Sequence, residues 1–126
     1  RGFEGYIISM PPYGVTKESY LAGYKWEGKY INHSLAGDFE MNISKAYKIP
    51  NTWVLDGVNT AIEENFQYTS WDESIDAGWT HCGKIDKDPE RYGKSVLRKR
   101  GDDGKLTDTN NSTNDFTPDS TPSLKK

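Results

Sequence analysis

The sequence has a single cysteine, and this scarcity excludes two kinds of architecture. Cys82 has no second thiol for an internal disulfide, so the chain is not a disulfide-stapled domain. A zinc site needs several Cys or His ligands, and the chain adds only His33 and His81. Because neighbouring strand residues point to opposite faces, His81 and Cys82 make neither a metal pair nor a Cys–His catalytic pair. We expect a packed Cys82, a solvated His81, no metal and no cofactor.

Long apolar runs and an excess of positive charge are also missing. No segment approaches the roughly 20 apolar residues of a membrane helix. The formal net charge is −3, which argues against a nucleic-acid partner because such proteins normally carry a basic surface. One group of basic residues does occur late in the chain, and ordinary charge patterning favours a solvated strand face for it. Its members are Arg91, Lys94, Arg98, Lys99 and Arg100.

Catalytic signatures are missing as well. The chain has no Gly-x-Ser-x-Gly motif and no glycine loop of the phosphate-binding type. Its paired carboxylates are adjacent in sequence, whereas glycosidases hold theirs on opposite sides of the sugar. These pairs are Glu63-Glu64, Asp72-Glu73 and Asp102-Asp103. We predict no catalytic residues and a protein that is not an enzyme, with a hydrolase using scattered carboxylates as an alternative.

An acidic group late in the chain leaves calcium binding open. Asp102, Asp103 and Asp108 offer oxygen ligands of the kind that Ca²⁺ prefers. Their spacing does not fit an EF-hand loop, which has a Glu at its twelfth position. Turn chemistry, in which Asp side chains bond to nearby backbone, is the favoured interpretation.

The composition and the apolar runs of the chain favour β-strands. Aromatic residues make up 13% of the chain while hydrophobic residues reach only 33%, so we expect Trp26, Trp53 and Trp79 to fill the core. Alternating or short apolar runs predict a series of strands. These are Gly5–Met10, Gly23–Ile31, Ala46–Ile49, Trp53–Asn59 and a strand that begins near Ser95. Thr16 is a suitable N-cap for one short helix between the first two strands.

The region around Tyr92 to Phe116 predicts a strand, a turn and an anchored crossing. Val96 and Arg98 alternate with Leu97, and the Gly101–Gly104 segment contains the Asp-Gly signal of a reversal. A run of Asn, Asp, Ser and Thr follows, whose side chains can bond to the backbone. It ends at Phe116, which we expect to be buried against the strand that carries Val96.

Three segments carry a resemblance to known families. Gly93-Lys-Ser-Val-Leu-Arg98, together with Asp108-Thr-Asn-Asn and Asn114-Asp-Phe116, resembles the closing half of a lamin-tail domain. Tyr47–Asn59, Asp76–Lys84 and Asp86–Ser95 are similar to a family of Bacteroidota surface lipoproteins with a domain of unknown function. The resemblance covers roughly residues 5–118.

The resemblance implies an all-β fold, namely an immunoglobulin-like (lamin-tail-like) β-sandwich. It assigns residues 1–118 to the C-terminal part of this sandwich, and residues 119–126 are expected to form a loose C-terminal tail because they have almost no apolar anchors. We expect a longer parent protein, since the opening strands of a lamin-tail domain are not recognisable here. The implied location is the bacterial outer membrane, exposed at the cell surface, with membrane attachment only through a lipid anchor outside this chain.

The resemblance supplies no catalytic residues, and it implies a non-enzymatic binding or assembly module. Such a module would serve a nutrient-uptake or adhesion complex, with a protein partner such as an outer-membrane transporter. A carbohydrate-binding module is the alternative. Tyr68 and Trp71 are the candidate ligand-binding residues because they lie in a polar segment and offer large aromatic surfaces.

Overall fold

The computed structural model describes residues 4–34, 36–66, 71–85 and 87–123, and strands dominate them. The chain forms two compact units. The larger unit contains residues 1–9 and 54–126, and the smaller unit contains residues 10–53. Within the described ranges, no helix is long and apolar enough to cross a membrane.

Seven strands are present in the described residues. They are β1 (Glu4–Ser9), β2 (Lys25–Ser34), β3 (Gly37–Tyr47), β4 (Val54–Ala61), β5 (Thr80–His81), β6 (Ser95–Arg98) and β7 (Phe116–Ser120). The helices are short: α1 (Lys17–Gly23), α2 (Ser112–Asp115) and three 3-10 turns at Asn51–Trp53, Glu63–Asn65 and Pro89–Arg91. The predicted all-β class is therefore confirmed. The immunoglobulin-like arrangement stays a prediction.

The smaller unit begins with the helix that the sequence predicted. The Thr16 hydroxyl accepts a hydrogen bond from the Ser19 backbone N–H at 3.2 Å, and the Thr16 N–H donates to the Ser19 hydroxyl at 3.0 Å. This reciprocal pair is a capping box, which satisfies two backbone donors at the start of α1. Trp53 is buried as predicted and packs 4.9 Å from the ring of Tyr24.

Strands β2 and β3 of the smaller unit form an antiparallel hairpin. The predicted strand at Ala46–Ile49 is only the end of β3, which begins at Gly37. The signal for its earlier part was available, since Phe39 and Met41 alternate with polar residues in the sequence.

In the larger unit, β4 lies between β1 and β5, antiparallel to the former and parallel to the latter. One face of β1 and β4 is covered by Trp71. A Cβ atom added at Gly5 would lie 2.4 Å from Cζ2 of the Trp71 ring, and one added at Gly57 would lie 3.5 Å from its Nε1. The indole therefore occupies space that a side chain at Gly5 would need.

A buried carboxylate connects distant segments of the larger unit. Asp76 is completely buried, and its two oxygens accept hydrogen bonds from Asn59, Gly78 and Ser112 at 2.5–3.0 Å from donor to acceptor. The larger unit thus contains a buried polar network in addition to the buried apolar Ile62, which is 6% exposed. Of the tryptophans that we expected in the core, Trp79 is only half-buried here, and in the smaller unit Trp26 is half-buried too.

The closing region follows the prediction in outline. The Gly104 N–H donates to the Gly101 carbonyl at 2.9 Å, which closes the predicted turn. Side chains then hold the polar segment, since Asp115 accepts hydrogen bonds from the N–H and hydroxyl of Thr109, both at 2.8 Å. Phe116 begins β7, which pairs with β6 as expected, but its partner in register is Arg98 and its side chain is only half-buried.

The expected tail from residue 119 overlaps a strand. β7 continues to Ser120, and the Asp119 carboxylate accepts a hydrogen bond from the Gly83 N–H at 2.7 Å. A boundary after residue 118 therefore cuts through β7, because a polar anchor holds Asp119 where the sequence shows no apolar one. Residues 124–126 lie outside the described residues.

Candidate functional site

Only one of the two predicted ligand-binding residues lies within the described residues. Tyr68 lies outside the described residues. Trp71 is half-buried against Gly5, and its indole Nε1 is buried without a hydrogen-bond partner among the described residues. The Trp71 ring thus packs against the sheet.

The acidic residues that were candidates for calcium binding form hydrogen bonds within turns. Asp103 accepts a hydrogen bond from the Lys105 N–H at 3.0 Å, and its other oxygen lies 3.5 Å from the Lys105 ammonium. Asp108 accepts from the Asn110 N–H at 3.4 Å. In the ranges that the structure describes, no group of three or more His, Cys, Asp or Glu residues is arranged to hold a metal ion.

The expectation that His81 is solvated is wrong. Its side chain is only 17% exposed, and its Nδ1 lies 3.8 Å from an oxygen of Asp119. The ring centroids of His81 and Trp79 are 5.5 Å apart. The pairing of β5 with β4 places His81 inside the larger unit, which the polar residues around it in sequence did not indicate.

Cys82 is a half-buried free thiol. Its burial raises the pKa of the thiol, and the Asp119 carboxylate nearby raises it further. The Sγ atom lies 3.8 Å from the Arg91 carbonyl. A thiol whose pKa is raised is mostly protonated at neutral pH.

Two highly exposed apolar side chains of the larger unit lie on β1. Tyr6 and Ile8 are 69% and 63% exposed, and both point to the face of β1 opposite Ile7. Their partners in register on β4 are Val58 and Asp56. Since β1 is an edge strand that pairs only with β4 in the described part of the chain, its exposed face adjoins an open sheet edge.

A cleft lies beside these side chains, and its first half is apolar with one fixed ion pair. Arg98 Nη1 is 2.6 Å from a carboxylate oxygen of Asp56, and the two side chains are 18% and 22% exposed. The Arg98 guanidinium also lies over the Phe116 ring, 4.9 Å from its centroid. Together with Tyr6 and Ile8, these residues line a depression of about 250 Å³.

The second half of the cleft is basic. It has a volume of about 290 Å³, and its lining includes Tyr6, Arg91 and Lys94. Tyr6 therefore lies between the two halves. We call the whole feature the Tyr6 cleft and define it by Tyr6, Ile8, Arg91, Lys94, Arg98 and Phe116.

Local backbone structure determines where Arg91 lies. The Asp88 side chain caps the 3-10 turn Pro89–Arg91 by accepting a hydrogen bond from the Glu90 N–H at 2.8 Å. Hydrogen bonds from the backbone of Lys84 and Glu90 lower the pKa of Asp88, so this cap is ionised at neutral pH. Gly83 has a positive φ of 86°, and a Cβ atom there would lie 2.8 Å from the Arg91 Cβ. Arg91 therefore packs on a position that only glycine fits.

Part of this site has a signal in the sequence. The basic residues of the cleft belong to the group that we interpreted as a solvated strand face. The structure instead places Arg98 in a half-buried ion pair and Arg91 and Lys94 along the cleft. The exposure of Tyr6 and Ile8 could not be predicted from the neighbouring residues. The sequence pattern of a short apolar strand is the same whether its side chains face a core or an open cleft.

Comparison with known proteins gives a family and no activity. A family model described as "Protein of unknown function (DUF4876)" matches residues 1–123. No curated protein and no solved structure matches the chain. The match agrees with the expectation of a domain of unknown function, while the lamin-tail likeness and the lipoprotein identity stay predictions.

Proposed function

The chain belongs to the DUF4876 family of proteins of unknown function, and we propose that it is a non-enzymatic module that binds an extended segment of a partner protein along β1. The observation that carries this proposal is the combination of an edge strand with two exposed apolar side chains. Tyr6 and Ile8 lie on the cleft side of β1, and β1 pairs on one side only within the described residues.

An edge strand offers unpaired backbone groups to a second strand. A peptide that adds to such an edge gains affinity from main-chain hydrogen bonds, and its alternate side chains enter pockets on one face of the sheet. Exposed apolar edge strands are otherwise a hazard because they promote aggregation. Side chains of a bound strand that point to the face of Tyr6 and Ile8 would contact these two residues and reach toward the Tyr6 cleft, and the Tyr6 ring offers a large contact area that loses little entropy when it is fixed.

The proposed setting comes from the sequence resemblance. Similarity to Bacteroidota surface lipoproteins supports a secreted protein at the outer-membrane surface, where the module would be an accessory of a nutrient-uptake or adhesion complex. An outer-membrane transporter is one partner of this kind. The cleft supports binding, and the resemblance supports the location.

A glycan is the alternative partner, and the exposure of Tyr6 is the observation that favours it. Tyr6 is 69% exposed, so its ring is accessible to a sugar ring in a way that the packed Trp71 ring is not. Sugars commonly stack on aromatic surfaces of this kind. The outward Tyr6 side chain therefore serves either partner, and the binding experiment below separates them.

The test is a selection of ten-residue peptides from a random displayed library against the whole chain. The affinity of the best peptides is then measured for the parent and for Tyr6→Ser. We expect Tyr6→Ser to weaken binding by about tenfold or more, the effect of removing an aromatic anchor from an interface. Tyr13→Ser is the matched control, because Tyr13 is fully exposed in the smaller unit and lies outside the cleft.

Three outcomes contradict the proposal. A selection that yields no peptide dependent on Tyr6 removes the support for strand binding. Equal affinity of the selected peptides for the parent and for Tyr6→Ser would also remove this support. A failed selection combined with Tyr6-dependent binding in a glycan array supports the carbohydrate-binding alternative.

A further inference from the structure

We infer that the segment held in the Tyr6 cleft carries a carboxylate, which pairs with Arg91 and Lys94, and an aliphatic side chain, which lies against Ile8 and Phe116. This inference rests on the proposed function and adds the chemistry of the partner. It follows from the unequal character of the two halves of the cleft. One half is lined by apolar side chains and by the ion pair of Arg98 with Asp56. The other half contains Arg91 and Lys94, which form no ion pair with described residues.

The cations of the basic half make no close ion pair with described residues, and the attraction between Arg91 and the Asp88 carboxylate acts beyond ion-pair distance. Neither Arg91 nor Lys94 makes an ion pair with another residue of the described ranges, in contrast to Arg98, which pairs with Asp56 at 2.6 Å. Arg91 has one aromatic neighbour, since its guanidinium lies 5.5 Å from the centroid of the Tyr92 ring. That contact steadies the guanidinium and leaves its N–H groups available to an acceptor.

The nearby carboxylates already have other partners. Asp88 accepts hydrogen bonds from the backbone N–H groups of Lys84 and Glu90 at 3.0 and 2.8 Å. Asp119 accepts from the Gly83 N–H at 2.7 Å and faces His81 with its other oxygen. Among the residues that the structure describes, no acidic side chain lines the basic half itself. Two cations on a wall with Thr60, Ser95 and Val96 thus form an electropositive pocket that complements an anionic group.

The geometry of an extended strand constrains the spacing of the two groups. Tyr6 borders both halves of the cleft, so a strand along β1 passes the apolar half and the basic half in succession. Side chains that enter both halves must leave the same face of that strand. Because successive side chains of a strand alternate between faces, the carboxylate and the aliphatic residue are separated by an even step, i and i+2 or i+4.

The first test is the sequence of the selected peptides. We expect an Asp or Glu two or four positions from an aliphatic residue, whereas peptides selected against Arg91→Gln/Lys94→Gln should lose the acidic residue and keep the aliphatic one. The matched control is Lys45→Gln/Lys48→Gln, which removes the same charge from exposed positions of the smaller unit. Peptides selected against this control should resemble those of the parent.

The second test compares synthetic versions of the best peptide. Replacing its acidic residue by the corresponding amide should weaken binding to the parent by about tenfold, and added salt should reduce the difference. The Arg91→Gln/Lys94→Gln variant should bind both versions equally, and the Arg91→Lys/Lys94→Arg variant should restore the preference. An amidated and a free C-terminus distinguish an internal side chain from a terminal carboxylate as the source of the group.

Failure of this inference differs from failure of the proposed function. Tyr6-dependent peptides without an acidic residue at an even step would overturn the inference and leave strand binding intact. An acidic preference that persists in a folded Arg91→Gln/Lys94→Gln variant, with folding checked by its thermal transition, would overturn it equally. A selection without any Tyr6-dependent peptide would remove both.

Discussion

Asp76 and Ser112, which are 36 residues apart in the chain, are joined by two hydrogen bonds in the centre of the larger unit. The Ser112 N–H donates to one carboxylate oxygen at 2.8 Å, and the Ser112 hydroxyl donates to the other at 2.5 Å. Both residues are almost completely buried. The pair fixes the start of α2 to the loop that follows Trp71, and it thereby sets the position from which Phe116 and β7 continue toward the cleft.

Substitution of Asp76 should therefore be the most damaging polar change in the chain. Asp76→Asn replaces an acceptor oxygen by a donor that faces other donors, so at least one buried N–H or hydroxyl loses its partner. Because hydrogen bonds to a buried charge are strong, we expect a loss of about 3 kcal/mol in the free energy of unfolding. Urea unfolding measures this loss, with the exposed Asp102→Asn as a control that should change stability by less than about 0.5 kcal/mol. Equal midpoints for the two variants would show that the network is not structural.

Gly5 should tolerate no side chain, because the Trp71 ring occupies the space. An added Cβ would lie 2.4 Å from that ring, whereas one at Gly23 would meet nothing within 4 Å. We expect Gly5→Ala to destabilise the protein by about 1–3 kcal/mol through overpacking, and Gly23→Ala to be neutral or slightly stabilising. Thermal unfolding compares the two variants. A Gly5→Ala protein that melts with the parent would mean that Trp71 does not pack on β1.

Phe116→Ala tests the closing motif. Phe116 is half-buried under the Arg98 guanidinium, so its loss removes both apolar contact and a cation–π interaction. We expect a cost of about 2 kcal/mol, below the value for a fully buried Phe, and a weaker affinity for cleft peptides. The neighbouring exposed residue offers a control, Thr117→Ala, which should leave the melting temperature unchanged. If both variants melt like the parent, Phe116 does not anchor the crossing.

Because of Asp88, the free energy of unfolding should depend on pH in the acidic range. Backbone hydrogen bonds lower its pKa in the folded state below the value of about 3.9 in an unfolded chain. The resulting stabilisation is present above pH 4 and is lost as the pH falls through the folded-state pKa. We expect Asp88→Asn to be less stable than the parent at pH 6 and the difference to shrink toward pH 3. Urea midpoints across this range check it, and a difference that is constant with pH would contradict the assignment.

Local patterns predicted the secondary structure of this chain better than its packing. The capping pair at Thr16 and Ser19 and the turn at Gly101–Gly104 depend on neighbouring residues, and both were predictable. The buried state of Asp76 was not predictable, because its donors Asn59 and Ser112 are far away in sequence.

The cleft could not be predicted from the sequence for the same reason. The short apolar run Gly5–Met10 identified β1 as a strand, but the exposure of Tyr6 depends on which segments pack beside it. The sequence showed the basic group around Arg98 as a charge pattern. It did not show that Arg98 pairs with Asp56 while Arg91 and Lys94 form no ion pair with described residues, because Asp56 and Arg98 are far apart in the chain.

Amide hydrogen exchange in the presence of a bound peptide tests most directly whether β1 accepts a partner strand. Alternate amides of Glu4–Ser9, whose N–H groups point to the free edge of β1, should exchange more slowly when a selected peptide is added at saturating concentration, because they gain cross-strand hydrogen bonds. Amides of β2 and β3 should exchange at unchanged rates. Unchanged exchange throughout β1, with protection appearing on another element, would contradict the claim.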